Sequence, residues 1–82
     1  MPALHLIFSS AGLKSCLLRS NPNDVLLLLQ DGVHAKAPEG ASVLREHAVA
    51  RGIESQFLAS QFVDWDDMVR LTASCSPVVS WP

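Results

Sequence analysis

The sequence predicts a small α/β domain with a mostly parallel sheet of about four or five strands and helices on both faces. Residues 25–29 are five consecutive apolar residues without alternation, as in strands that are buried on both faces of a parallel sheet. Other short apolar runs alternate along the chain with segments of helical character. Strands that alternate with helices favour parallel pairing through right-handed crossovers.

The first strand and the first helix are predicted near the amino terminus. Residues 3–8, ALHLIF, form a short apolar run that ends at two serines, which suits a buried strand followed by a helix cap. Ser10 is the expected cap of a helix over residues 11–20. A proline and two asparagines in SNPND, residues 20–24, then end this helix.

The second strand is predicted at residues 24–29, DVLLLL, and it ends abruptly at the polar QDG of residues 30–32. Two interpretations of QDG remain open. As a turn, Asp31 would cap the following backbone N–H groups and Gly32 would take a positive φ. As part of a site, Asp31 lies beyond the carboxyl end of a parallel strand, where ligands bind in open α/β sheets.

The next segments are shorter. Residues 33–41 are predicted to be a weak helical turn and a loop, because proline and glycine break them. A very short strand is expected to begin at residue 42. A helix follows over residues 45–51, with Gly52 as its C-terminal signal. Another short strand is predicted at residues 61–63.

The clearest helix is predicted over residues 64–75, DWDDMVRLTASC. Asp64 is its expected N-cap, and the positive end of the helix dipole stabilises the two acidic residues in the first turn. Residues 76–82, SPVVSWP, are a short β-branched run that suits a last strand. Helical spacing puts these side chains on one predicted core face: Trp65, Met68, Leu71, Thr72 and Cys75.

The composition indicates one small domain, residues 1–82, that contacts other chains. Only 17% of the residues are charged, below the roughly 25% of typical domains, so part of the surface is expected to be buried against partners. The net charge of −2 and scattered basic residues argue against direct nucleic-acid binding. No run reaches the roughly 18–20 apolar residues of a membrane span. The start lacks the basic region of a signal peptide, so we expect a cytoplasmic protein.

No cofactor or metal is expected. The two cysteines and three histidines lack the spacing of metal ligands, and no phosphate-binding glycine pattern occurs. No nucleophile–base pair or carboxylate pair stands out. His5, within the first strand, is expected to be either a hydrogen-bonded core residue or an interface residue. His34, in a loop, could shift the pKa of a neighbouring thiol, but it and His47 are expected to be structural.

Several segments, taken in order, resemble one known family. They are LHLIFSS, LLLLQDGV, ARGI, DWDDMVRLT and the closing VVSWP. Together they resemble the TusB/DsrH family, small sulfur-relay subunits within the DsrE-like superfamily. The resemblance covers most of the chain, and LLLLQDGV and the VRLT…SW combination are its specific parts.

The resemblance implies a small three-layer α/β fold of the DsrE-like kind and an accessory role in a sulfurtransferase complex rather than a stand-alone enzyme. It implies assembly with TusC- and TusD-like, or DsrF- and DsrE-like, subunits. Such complexes pass persulfide sulfur along cysteines. The sulfur goes to 2-thiouridine at the tRNA wobble position in the Tus branch and serves dissimilatory sulfur oxidation in the Dsr branch.

The chain departs from this family between its second and third predicted strands. Only about a dozen residues, 32–43, stand where the family has a helix and a full strand. A missing helix is expected to expose one face of the sheet or to leave it to a partner.

Cys16 is the candidate sulfur carrier, because some DsrH-like members have a cysteine in the matching first helix. Arg19 lies about 60° further round the predicted helix and could lower the pKa of the thiol. Cys16 is also about two turns from the helix start, where the dipole no longer helps. The alternative, that Cys16 is a small buried residue packing the helix on the sheet, therefore remains open.

The remaining candidates are expected to be structural. Cys75 lies on the apolar face of its helix and is expected to be core, and cytoplasmic conditions disfavour a Cys16–Cys75 disulfide. Trp81 is an apolar anchor that is expected to dock on the domain or on a partner. A second function class also stays open, namely a self-associating α/β scaffold without sulfur chemistry. The short middle segment and the scarcity of charges suit it.

Overall fold

The computed structural model describes residues 2–82 and shows a five-stranded sheet in which every strand pairing is parallel. The predicted α/β fold class is confirmed. The strands are β1 (Leu4–Ile7), β2 (Val25–Leu28), β3 (Ser42–Leu44), β4 (Phe62–Val63) and β5 (Val78–Trp81). The helices are α1 (Ser10–Leu17), α2 (Arg45–Ala50) and α3 (Trp65–Ser74), and short 3₁₀ turns occur at Gln30–His34, Glu54–Gln56 and Ala59–Gln61.

The strand order β4-β3-β2-β1-β5 explains why helices lie on both faces. The first three connections step in one direction, so crossovers of one hand put α1 and α2 on the same face. The last connection returns across the whole sheet and puts α3 on the other face. We call these the α1 face and the α3 face. The α1 face buries Ile7, Leu13, Cys16, Leu28, Val33, Ala35, Val43 and Ala48, and the α3 face buries Leu4, Leu6, Leu27, Leu29, Leu44 and Cys75.

The first helix begins and ends earlier than its sequence predicts. Ser9, not Ser10, is the N-cap, and its side chain accepts a hydrogen bond from the backbone N–H of Gly12 at 2.9 Å. At the other end, the backbone N–H groups of Arg19 and Ser20 both donate to the carbonyl of Cys16. These bonds satisfy an orphan carbonyl in the last turn, so α1 ends at Leu17 rather than at residue 20.

The connection between β2 and β3 is a 3₁₀ turn followed by extended chain, where the resemblance leads one to expect a helix. This segment covers the α1 face itself, because Val33 and Ala35 pack into the same cluster as Leu28 and Val43. Leu28 and Val43 are only 1% and 0% exposed. The β2–β3 connection therefore covers this part of the α1 face, and the expectation that it is exposed is wrong. A shallow groove of about 660 Å³ remains between residues 35–42 and residues 56–61.

The third helix has the predicted cap but a different core face. Asp64 accepts a hydrogen bond from the Asp67 N–H at 2.8 Å, and the Asp67 carboxylate accepts one from the Asp64 N–H at 3.2 Å. Met68, Leu71 and Cys75 pack on the α3 face, as predicted. Trp65 and Thr72 are exposed instead. Trp65 turns away from the sheet because its ring contacts a histidine on α2, as described below.

Candidate functional site

Cys16, the predicted sulfur carrier, lies on α1 and is fully buried in the α1 face. Burial raises the pKa of its thiol, and the nearby Asp24 carboxylate raises it further. A hydrogen bond with Ser20 acts in the opposite direction but does not outweigh burial. Arg19, which the sequence offered as a group that could lower this pKa, is not among the causes of the shift, and the net shift is upward. In this conformation, then, the thiol is protonated at neutral pH and shielded from solvent.

Cys75 is the second thiol and lies on the other side of the sheet. It is 6% exposed and packs in the α3 face, as the sequence predicts. The Ser74 hydroxyl lies 3.9 Å from its sulfur. Both cysteines are free, and the sheet separates them. A disulfide between Cys16 and Cys75 is therefore impossible in this fold.

A buried polar network joins His5, Asp24 and Trp81 across three strands. His5 Nε2 lies 2.8 Å from the Asp24 carboxylate, and Trp81 Nε1–H donates to His5 Nδ1 at 2.9 Å. An indole nitrogen can only donate, so Nδ1 must accept and the ring proton sits on Nε2. His5 is thus the hydrogen-bonded core histidine that the sequence offered as one of two interpretations. Trp81 docks on its own domain, one of its two predicted docking partners.

Asp24 is the residue of this network that sequence reasoning missed, because it was assigned only to the boundary between a helix-breaking segment and the second strand. Its carboxylate also accepts hydrogen bonds from the backbone N–H groups of Asn21, at 3.0 Å, and Ala3, at 3.1 Å. Together these hydrogen bonds lower the pKa of Asp24 to about 2. The bond from Asn21 has the largest effect, followed by those from His5 and Ala3. The ionised carboxylate fastens the start of β2 to β1.

Acid should therefore destabilise the domain through Asp24. Its pKa is lower in the folded chain than the roughly 3.9 of an unfolded aspartate, so its contribution is present above about pH 4. That contribution is lost as the pH falls from about 4 to about 2. We expect the thermal midpoint of Asp24→Asn to depend less on pH in this window than that of the wild type. Asp31→Asn, which changes an exposed carboxylate, is the matched control, and an equal flattening in both variants would contradict the assignment.

A second polar cluster forms at the carboxyl ends of β2 and β3. Gln30 has a positive φ of 51°, and its backbone N–H donates to His47 Nδ1 at 2.7 Å. Arg51 pairs with Asp31 at 3.1 Å. The Asp31 carboxylate therefore binds Arg51, the residue that follows α2, so its predicted capping of the following N–H groups is wrong. Gly32 does not have the predicted positive φ either, since Gln30 takes that conformation instead.

Trp65 completes this cluster from α3. Its ring lies edge-on to that of His47, with centroids 5.4 Å apart, and its indole N–H donates to Glu46. Asp31 is neutralised by Arg51, and no cysteine belongs to the cluster. The arrangement ties the β2 and β3 ends to α3 and supplies no nucleophile. His34, the third histidine, is exposed on the Gln30–His34 turn.

Residues 2–82 lack both clustered metal ligands and a helix that could span a membrane. No group of three or more His, Cys, Asp and Glu side chains is placed there to hold a metal ion. Within the same range, no helix is long and apolar enough to cross a membrane.

One protein-family model matches most of the chain. It is described as "DsrH like protein" and matches residues 7–78, from the end of β1 to the start of β5. No curated protein matches the chain.

Proposed function

Because the chain belongs to the DsrH-like family, whose members are sulfur-relay subunits, we propose that it is an accessory subunit of a cytoplasmic sulfur-relay complex. The match over residues 7–78 carries this proposal, since it spans nearly the whole described sheet. The partners would be TusC- and TusD-like, or DsrF- and DsrE-like, subunits. The low proportion of charged residues, 17%, supports a surface that is partly covered in a complex.

We assign Cys16 the role of an auxiliary sulfur carrier. A Cys16 thiolate would attack the outer sulfur of a donor persulfide, forming a Cys16 persulfide and releasing the donor thiolate. Burial and the raised pKa of Cys16 oppose this reaction in the isolated chain. The reaction therefore requires a partner that exposes the thiol. The partner would reach the Cys16 thiol through the last turn of α1, because the neighbouring Leu17 and Leu18 are 46% and 84% exposed.

Two destinations for the sulfur fit this role. One is 2-thiouridine at the tRNA wobble position, and the other is dissimilatory sulfur oxidation. In the first case a partner would bind the tRNA, because the net charge of this chain is −2. The set of subunits that copurifies with the chain distinguishes the two branches.

Sulfur loading tests the carrier role. The chain, assembled with its partner subunits, is incubated with a persulfide donor and analysed by intact mass spectrometry without reductant. We expect this subunit to gain the mass of one sulfur atom, and we expect Cys16→Ser to abolish the gain. Cys75→Ser is the matched control and should load normally, because Cys75 lies on the α3 face. Loading that survives in Cys16→Ser would refute the assignment.

One observation favours a second function, a scaffold without sulfur chemistry. Both thiols are buried, whereas several large apolar side chains are exposed: Leu17, Leu18, Val49, Leu58, Trp65, Val69 and Val78. Exposed apolar side chains suit contact with other chains better than group transfer. In the loading experiment, a scaffold would gain no sulfur, and a complex assembled with Cys16→Ser would deliver sulfur at the wild-type rate.

A further inference from the structure

We propose that β5 is a self-association interface, in which its free edge pairs antiparallel with the same edge of a second copy of this chain. The two sheets would then form one continuous sheet. This inference goes beyond the proposed function, because it rests on backbone geometry and needs no sulfur chemistry.

The backbone of β5 has hydrogen-bonding groups along two edges, and within residues 2–82 only the edge next to β1 is paired. β5 is the last strand of the described sheet, next to β1. The Leu4 N–H donates to the Pro77 carbonyl at 2.9 Å, and the Phe8 N–H donates to the Trp81 carbonyl at 3.0 Å. Successive residues of a strand direct their N–H and C=O groups to opposite edges. Pro77, Val79 and Trp81 therefore face β1, and Val78 and Ser80 direct their groups outward.

This edge lacks the usual protection against pairing. Natural proteins blunt sheet edges with charged residues, prolines, bulges or very short strands. Within β5, VVSW, there is no charge and no proline, and the strand runs beside β1 along its whole length, from Leu4↔Val78 to Ile7↔Trp81. Prolines stand only at its two ends, Pro77 and Pro82, so they limit pairing to these four residues without blocking it. The opposite edge differs, because β4 has only two residues. Pairing is therefore expected at β5.

The outward groups of β5 fit a second copy of β5. With a two-fold axis at Val79, Val78 of one chain lies opposite Ser80 of the second copy. Two residues that face each other in this way exchange both of their N–H···O=C bonds. The four outward groups of each strand are then all satisfied, and the same patch serves both chains, as an isologous dimer requires.

The side chains at this edge are also compatible with a second copy. Trp81 lies on the α1 face, so strand alternation puts Val79 on that face and Val78 and Ser80 on the α3 face. The pairing puts Val79 beside its own symmetry mate and the 43%-exposed Val78 beside an exposed serine. No charged group is buried, and β-branched residues pair well across strands.

Ser80→Pro tests the interface. It removes an outward N–H, at the kind of edge position where folded sheets tolerate proline, and leaves the groups that face β1 intact. Ser80→Ala, which keeps the N–H, is the matched control. In sedimentation velocity and native mass spectrometry, we expect the wild type and Ser80→Ala to be dimeric and Ser80→Pro to be monomeric. Circular dichroism checks that each variant is folded.

Residue-resolved amide exchange on the wild type decides the question even if Ser80→Pro does not fold. The Val78 and Ser80 amides should be protected at high protein concentration and lose protection on dilution, whereas the Val79 and Trp81 amides should stay protected throughout. A monomeric wild type, a folded Ser80→Pro dimer, or a dimer with unprotected Val78 and Ser80 amides would overturn the proposal. Protection that appears only with partner subunits would overturn the second copy as the occupant.

Discussion

Gly32→Ala is expected to destabilise the domain by about 3 kcal/mol, the upper end of the usual range for overpacking. A Cβ at this position would lie 2.7 Å from the carbonyl carbon of Ile7 and would overlap its oxygen. That oxygen already accepts a hydrogen bond from the Leu29 N–H at 3.1 Å. The obstacle is backbone at the end of β1, which cannot rotate away as a side chain could. A core of this size supplies only about 3–5 kcal/mol, so the folded fraction should fall sharply.

Gly40→Ala is the comparison that isolates the steric effect. Gly40 has a φ of +90°, and no atom lies within 4 Å of a Cβ built on it. Alanine there suffers only the conformational strain of a positive φ, on the order of 1 kcal/mol. Urea unfolding of both variants gives the two losses in free energy. Equal losses would show that β1 does not approach Gly32 as closely as described.

The role of Gly32 shows where the sequence was informative and where it was not. A glycine after a strand predicts a turn with a positive φ, and the turn is present. The positive φ, however, belongs to Gln30. Gly32 is needed for its missing Cβ, because the chain that leaves β2 passes against the end of β1. A packing distance between segments that are 25 positions apart has no signature in the local sequence.

Local sequence patterns predicted other elements of the fold correctly. The uninterrupted run at residues 25–29 predicted a central strand, and β2 lies at the middle of the sheet. Asp64 was predicted to cap α3, and it does. Periodicity failed for Trp65 and Thr72, which are both exposed. For Trp65 the reason is that a ring at the first helical position can turn to another element. It contacts His47, 18 positions earlier.

The candidate site was less predictable, because its polar groups come from distant segments. Cys16 was predicted on α1, and its burial matches the packing interpretation that the sequence left open. The Asp24–His5–Trp81 network could not be predicted, because Asp24 and Trp81 lie 19 and 76 positions from His5 in the sequence. Each residue alone is a turn aspartate, a strand histidine or a terminal tryptophan. Only the order β2-β1-β5 brings them together.

Trp81→Phe should reduce the free energy of unfolding by about 2 kcal/mol, within the 1–3 kcal/mol range for a buried polar atom that loses its partner. The variant leaves His5 Nδ1 without a donor, and His5 is only 5% exposed. Moving the ring proton of His5 to Nδ1 does not remove this loss. Nε2 would then present a lone pair to the Asp24 carboxylate, which itself only accepts.

Trp65→Phe is the matched control for this prediction. It makes the same chemical change in a tryptophan that is 45% exposed and whose indole donates to an exposed glutamate. Surface changes of this kind cost about 0.5 kcal/mol or less. Urea unfolding compares the two variants, and nitrogen NMR shifts of His5 report its tautomer. Equal losses in the two variants, or a wild-type His5 that carries its proton on Nδ1, would contradict the network, because Trp81 can donate only to an unprotonated Nδ1.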